Sequence, residues 1–163
     1  MKATVHPRRK TGAPEEAAFV DLVRTAEMLS RPVAHLLKTE DLSAPQYNVL
    51  RILRGSPQGL TCREIGERMI TRDPDITRLL DRLENGKLIA RSRDEQDRRV
   101  VLTRITDGGL ELLERLDQPV QDLHRKLLGP LGRERLQALV QLLEACRSGL
   151  DERISNLDRK ERN

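Results

Sequence analysis

The chain has 163 residues, 37% hydrophobic, 1% aromatic and 34% charged, with a net charge of +4. That is enough for one real core but excludes two independent enzyme domains. No apolar run approaches the roughly 20 residues of a membrane span, and the N-terminal stretch lacks the apolar segment of a secretory signal. The basic excess suits polyanion partners, although many proteins that bind nothing anionic share it. Phe19 and Tyr47 are the only aromatics, so the core must be built from Leu, Ile, Val and Ala. A Leu-rich, highly charged chain with few β-branched runs leans to helix. Cys62 and Cys146 lie far apart and match no metal spacing. A soluble protein of the reducing cytoplasm, with no membrane partner, is expected.

Residues 1–13 carry Lys2, Arg8, Arg9 and Lys10 around Pro7 and Gly12 without apolar periodicity, and read as a disordered basic tail. A first helix is expected from Pro14, with Glu15 and Glu16 at its positive end, giving a segment over residues 14–40. Phe19, Leu22, Val23, Ala26, Leu29, Val33, Leu36 and Leu37 recur at helical spacing. That stripe is longer than one small core needs, so part of it should pack on another chain. Pro32 within it predicts a kink or break.

Ser43-Ala44-Pro45-Gln46 and Thr61-Cys62-Arg63-Glu64 are both capping boxes. The first opens a helix through Tyr47, Val49, Leu50 and Leu53 that Gly55 should stop. The second opens a short helix ending near Met69, with Ile65, Met69 and Ile70 on its buried side. Leu60-Thr61 predicts a one-step strand. Asp73 as cap and Pro74 at the first helical position predict the next helix, with Ile76, Leu79, Leu80 and Leu83 inward. Its outer face carries Asp75, Thr77, Arg78, Asp81 and Arg82, and Asn85-Gly86 suits a left-handed C-cap.

Residues 88–92 and 100–105 read as two strands joined by the charged turn Asp94-Glu95-Gln96-Asp97-Arg98-Arg99. Arg91, Arg93, Arg98, Arg99 and Arg104 cluster on this hairpin. Thr106-Asp107 caps a long helix with the stripe Leu110, Leu113, Leu116, Val120, Leu123 and Leu127. Gly108 and Gly109 leave its first turn pliable, and Pro119 should bend it. Gly129-Pro130 breaks it. A last helix runs from about Arg133 through Cys146 and Leu150, so that residues 107–155 form a C-terminal helical segment and residues 156–163 a frayed polar tail.

Helix, turn, helix, strand, charged turn, strand is the order of a winged helix-turn-helix. The predicted fold class is therefore mainly α with a small β-wing, residues 42–106 forming a winged helix-turn-helix DNA-binding region. The sequence also resembles the MarR family of transcriptional regulators. The resemblance rests on Leu42-Ser43-Ala44-Pro45-Gln46-Tyr47-Asn48-Val49-Leu50, on Ile76-Thr77-Arg78-Leu79-Leu80-Asp81-Arg82-Leu83-Glu84, and on Asp97-Arg98-Arg99-Val100-Val101-Leu102-Thr103-Arg104-Ile105-Thr106-Asp107-Gly108-Gly109. It implies a homodimer joined by N- and C-terminal dimerisation helices. It implies binding to a pseudo-palindromic double-stranded operator, with a recognition helix in each major groove and a wing at each minor groove. It also implies repression relieved by a small ligand or an oxidant. Departures are Thr103 where Val or Leu is usual, Asp73 and Asp75 at the start of the recognition helix, and the absence of a cysteine near the start of the first helix.

Site residues follow from this layout. Arg78 and Arg82, four apart, share a face and are expected to grip guanine or phosphate. Thr77 is expected at a thymine methyl or a phosphate, and Asp75 at a cytosine amino group. Arg99 is expected in the minor groove, with Arg93 and Arg98 at phosphates. Asp97 is expected to orient a wing guanidinium. The competing reading is a solvated face with Arg82 paired to Asp81 or Glu84. His6, His35 and His124 are scattered, and no Gly-rich phosphate loop follows a strand, so no enzyme chemistry, cofactor or metal is expected. Two other classes stay open: a thiol redox sensor using Cys62 at a helix N-terminus, and a winged-helix protein-interaction module that does not bind DNA.

Overall fold

The structure is a computed structural model and describes residues 13–71 and 75–150. Packing divides the chain into two compact units, with the boundary in sequence after Val120.

The first unit opens with α1 (Pro14–Lys38), where Pro14 supplies its preset φ at the first turn and Glu15 and Glu16 face the helix dipole. The break predicted at Pro32 is absent: the helix runs on for another turn and a half. Leu37 is fully buried there, and Val33 and Leu36 pack against the core. Tertiary packing of these three residues past the proline outweighs the lost hydrogen bond. Earlier in α1, Phe19, Leu22, Val23 and Met28 are half-exposed or more.

The two capping boxes form as read. Ser43 N–H donates to Gln46 Oε1 at 2.9 Å and Gln46 N–H to Ser43 Oγ at 3.4 Å, opening α2 (Ala44–Arg54), which Gly55 caps. Thr61 N–H donates to Glu64 Oε2 at 2.8 Å and Glu64 N–H to Thr61 Oγ1 at 3.2 Å, opening α3 (Cys62–Arg68). Met69 is already extended, with ψ 142°. That change of phase corrects Ile70: expected on the buried side, it is 86% exposed. Its amide is held instead by Asn48 Oδ1 from α2 at 2.8 Å.

Next come α4 (Ile76–Asn85), β1 (Ile89–Arg93) and β2 (Val101–Ile105). The strands pair antiparallel, from Ile89 opposite Ile105 to Arg93 opposite Val101. Leu60 adds the predicted single bridge to Thr103 through amide–carbonyl bonds of 3.0 and 2.8 Å in the two directions. Thr103, the departure at the wing root, is 1% exposed, inside the core rather than weakening it. Leu37, Val49, Leu50, Leu53, Ile65, Leu80, Leu83 and Leu113 are fully buried as well. Each such side chain contributes on the order of 1.5–3 kcal/mol.

At the end of α4 the left-handed residue is Lys87 (φ 57°), while Gly86 has φ −75°. Leu88 N–H donates to Leu83 O at 3.0 Å and Lys87 N–H to Glu84 O at 2.8 Å. This is a Schellman closure whose left-handed position falls one residue after the glycine. The chain passes from this turn into β1, and a hydrogen bond ties the turn to the start of α5 (Asp107–Leu128). Thr106 Oγ1 donates to Lys87 O at 2.7 Å and accepts from Gly109 N–H at 3.2 Å. Gly109, read as pliable, is buried, and a Cβ there would stand 2.3 Å from Leu88 O and 2.7 Å from Ile105 Cγ1. The glycine is required by close approach, not by flexibility. Leu112 joins Leu113, Leu116 and Val120 on the buried stripe of α5, and Pro119 does not interrupt that helix. Arg54 reaches Asp117 with two bonds of 2.7 and 3.0 Å, tying α2 to α5.

The second unit holds the end of α5, a 3₁₀ turn (Gly129–Leu131) and α6 (Arg133–Ser148). The helical break comes at Gly129-Pro130 as read, and Gly132 (φ 77°) redirects the chain. No residue of α6 is buried; Val140 and Leu142 are exposed, as is Cys146. A shallow open groove along α6 is lined by Gly132, Arg133, Leu136 and Val140.

Candidate nucleic-acid interface

α4 is strongly amphipathic because Leu79, Leu80 and Leu83 are drawn into the core and Ile76 packs beside them. The opposite face presents Thr77, Arg78 and Arg82 to solvent. Asp75 caps the helix, its Oδ1 accepting from Arg78 N–H at 3.2 Å. This corrects the cap read at Asp73, which with Arg72 and Pro74 lies outside the described residues. Helical dihedrals begin at Ile76, and the N-cap is by definition the residue before. It also gives Asp75 a use other than the cytosine contact: its carboxylate satisfies an amide that the helix start leaves open.

The hairpin tip is built by two aspartates. Asp94 Oδ1 accepts from the amides of Gln96 at 2.8 Å and Asp97 at 3.0 Å. Asp97 Oδ1 accepts from Arg99 N–H at 2.9 Å, and Asp97 O from Val100 N–H at 2.9 Å. Arg98 and Arg99 therefore occupy the two central positions of a four-residue turn, both exposed. Asp97, read as orienting a guanidinium, bonds the Arg99 backbone instead; an Asx-type bond two residues on is what a short carboxylate in a turn makes most readily. Asp97, Arg98 and Arg99 belong to the turn and not to the strand, because β2 starts only at Val101. The backbone amides of Asp97 and Gln96 hold the Asp94 carboxyl below the usual aspartate range.

Arg93 is exposed at the end of β1. Arg78, Arg82, Arg93, Arg98 and Arg99 form no ion pair with any described residue. Arg82 in particular is not paired to Asp81 or Glu84, because Arg91 of β1 occupies both. Its Nη2 lies 2.6 Å from Asp81 Oδ1 and also meets Glu84 Oε2, while its Nε reaches Glu84 Oε2 at 2.8 Å. The guanidinium holds the Glu84 carboxyl below its ordinary value, and the two carboxylates raise that of Arg91. This triad is the element missed from the sequence. Asp81 and Glu84 are three apart and face alike, but nothing in their spacing says which of five hairpin arginines answers them.

No group of three or more metal-ligating side chains occurs among the described residues. Cys62 is partly buried against the core and its thiol is unpaired.

The profile of the MarR family matches residues 42–101. The HTH-type transcriptional repressor IacR of Pseudomonas putida is 28% identical over 137 residues, covering 84% of this chain and 81% of that protein. Among solved structures, a MarR transcription factor from Planctomyces limnophilus is 38% identical with a TM-score of 0.63, covering 84% of this chain and 99% of that one. The MepR–DNA complex of S. aureus is 25% identical with a TM-score of 0.71, covering 80% and 96%. With the helix-turn-helix, the two-stranded wing and these relatives in agreement, the chain belongs to the MarR family.

Proposed function

We propose that this chain is a dimeric, sequence-specific DNA-binding transcriptional regulator of the cytoplasm, acting as a repressor that a small ligand releases. The observation that carries the reading is the set of five arginines on α4 and the hairpin that form no ion pair with any described residue. They are held by a helix with a buried opposite face and a turn pinned by Asp94 and Asp97. In this reading Arg78 and Arg82, with Thr77, enter the major groove; Arg99 enters the minor groove; Arg93 and Arg98 lie at phosphates. Asp75 and Asp97 shape backbone rather than touch DNA. A repressor among the relatives and a DNA complex among the neighbours support it. The proposal includes no catalytic step and no cofactor.

Residues 42–106 form the DNA-binding region, and residues 14–40 and 107–155 dimerise. Support comes from apolar side chains that their own unit leaves uncovered: Phe19, Leu22, Val23 and Met28 in one, Val140 and Leu142 in the other. No helix among the described residues is long and apolar enough to cross a membrane.

Selection of bound sequences from a random DNA pool tests the reading. A two-fold symmetric consensus, with half-sites about one helical turn (roughly 34 Å) apart, is expected. No enrichment would favour a protein-interaction module instead.

A further inference from the structure

Asp81 stands one turn beyond Thr77 and Arg78 on α4, so it shares the face assigned to the DNA groove. A free carboxylate there meets phosphate and is repelled, and Glu84 lies beside it. Both are about half- to one-third exposed, at 47% and 36% of the side chain, so neither is removed from the interface by burial. Arg91 arrives from β1 with 28% of its side chain exposed and spends its guanidinium on both. Its backbone amide also donates to Glu84 Oε1 at 3.2 Å, which fixes the approach of the strand. The other arginines of α4 and the hairpin that the proposed interface uses form no ion pair with any described residue.

We propose that Arg91 is a positioning residue for DNA binding. It does not touch DNA; it acts by masking the negative charge of Asp81 and Glu84 on the recognition face. This rests on the DNA-binding reading above. One arginine against two carboxylates leaves the triad a single net negative charge, set back toward the hairpin, where without Arg91 there would be two.

The test uses the intact protein on the DNA it selects, with affinity measured by fluorescence anisotropy across a salt series. Arg91→Ala is expected to weaken binding roughly tenfold, the size of a lost base contact. Adding Asp81→Asn and Glu84→Gln to Arg91→Ala is expected to restore affinity to within about threefold of the unaltered protein, since the charges needing a mask are gone. Asp81→Asn with Glu84→Gln alone is expected to bind at least as tightly as the unaltered protein. Both carboxylates are solvated enough for the single variant to fold, and thermal melts of all four proteins check this.

Three results would overturn the proposal. Arg91→Ala could bind like the unaltered protein. The triple variant could stay as weak as Arg91→Ala, with the log–log salt slope reduced by about 0.9, which makes Arg91 itself a phosphate contact. The carboxylate double variant could lose binding, which makes the ion pairs themselves necessary. Failure of the unaltered protein to bind any DNA is the separate result that removes the regulator reading and this one with it.

Discussion

Gly109→Ala is the sharpest structural perturbation available. The added Cβ would stand 2.3 Å from the Leu88 carbonyl oxygen and 2.7 Å from Ile105 Cγ1. Leu88 O is backbone and already accepts from Thr106 N–H at 3.1 Å, so it cannot yield like the end of a flexible side chain. Overpacking of this kind costs about 1–3 kcal/mol, and the contact with backbone puts the cost at the upper end. Alanine regains up to about 1 kcal/mol of helix propensity. The net loss is about 2 kcal/mol, which lowers the melting temperature by about 4–8 °C for a chain of this size. Gly108→Ala is the control. Its nearest neighbour is Lys87 O at 3.5 Å, an ordinary contact. There the propensity gain stands alone, about 0.5–1 kcal/mol in favour of the variant. Thermal unfolding by circular dichroism at one protein concentration measures both. If Gly109→Ala melts within 1 °C of the unaltered protein, or above it, the close-packed joint between the end of α4 and the start of α5 is refuted.

Further outcomes follow from the same contacts. Asp75→Ala should lose about 1 kcal/mol of stability in urea unfolding through the missing cap, and Asp75→Asn, which can still cap, should lose far less. Equal loss in both would place the effect outside the cap. Lys87→Gly should leave stability unchanged or raise it by up to about 1 kcal/mol, because left-handed strain is exchanged for chain entropy; a clear loss would contradict the observed φ. Asp117 is held below its ordinary value by Arg54, so its contribution is present above the unfolded-state pKa and is lost as pH falls through the lower folded-state one. Asp117→Asn should therefore cost about 0.5–1 kcal/mol at neutral pH, with the difference closing under strongly acid conditions. A difference that persists there would show packing rather than charge at work. Cys62→Ser should leave release from DNA by peroxide, if there is any, unchanged; its abolition would favour the redox sensor.

Local rules carried most of the fold from the sequence. Both capping boxes, the helix stops at Gly55 and Gly129-Pro130 and the two strands of the hairpin depend on residues close together in the chain, which is where side-chain chemistry is legible. Errors arose where distant packing decides. Pro32 does not break α1 because Leu37 and its neighbours are held by the core. Gly109 resembles a flexible joint in sequence, and only the approach of Leu88 makes it a tight one. Ile70 follows the helical period on paper, but α3 ends before reaching it. At the site the arginines were legible by type and order. The roles of the aspartates were not, since an Asp can cap, turn or pair according to the amide nearest it. From the sequence Asp75 is expected at a base and Asp97 at a guanidinium, whereas both carboxylates accept from backbone amides. Arg91 was visible only as one of a cluster until the antiparallel pairing of β1 brought it back over α4.

The central claim is that the exposed arginines of α4 and the hairpin tip carry DNA binding. The salt dependence of affinity for selected DNA, compared between the unaltered protein and Arg99→Ala, tests it most directly. The account predicts a steep slope for the unaltered protein, with Arg99→Ala weaker by roughly tenfold and its slope shallower by up to about 0.9. The same affinity and the same slope for both proteins would contradict it.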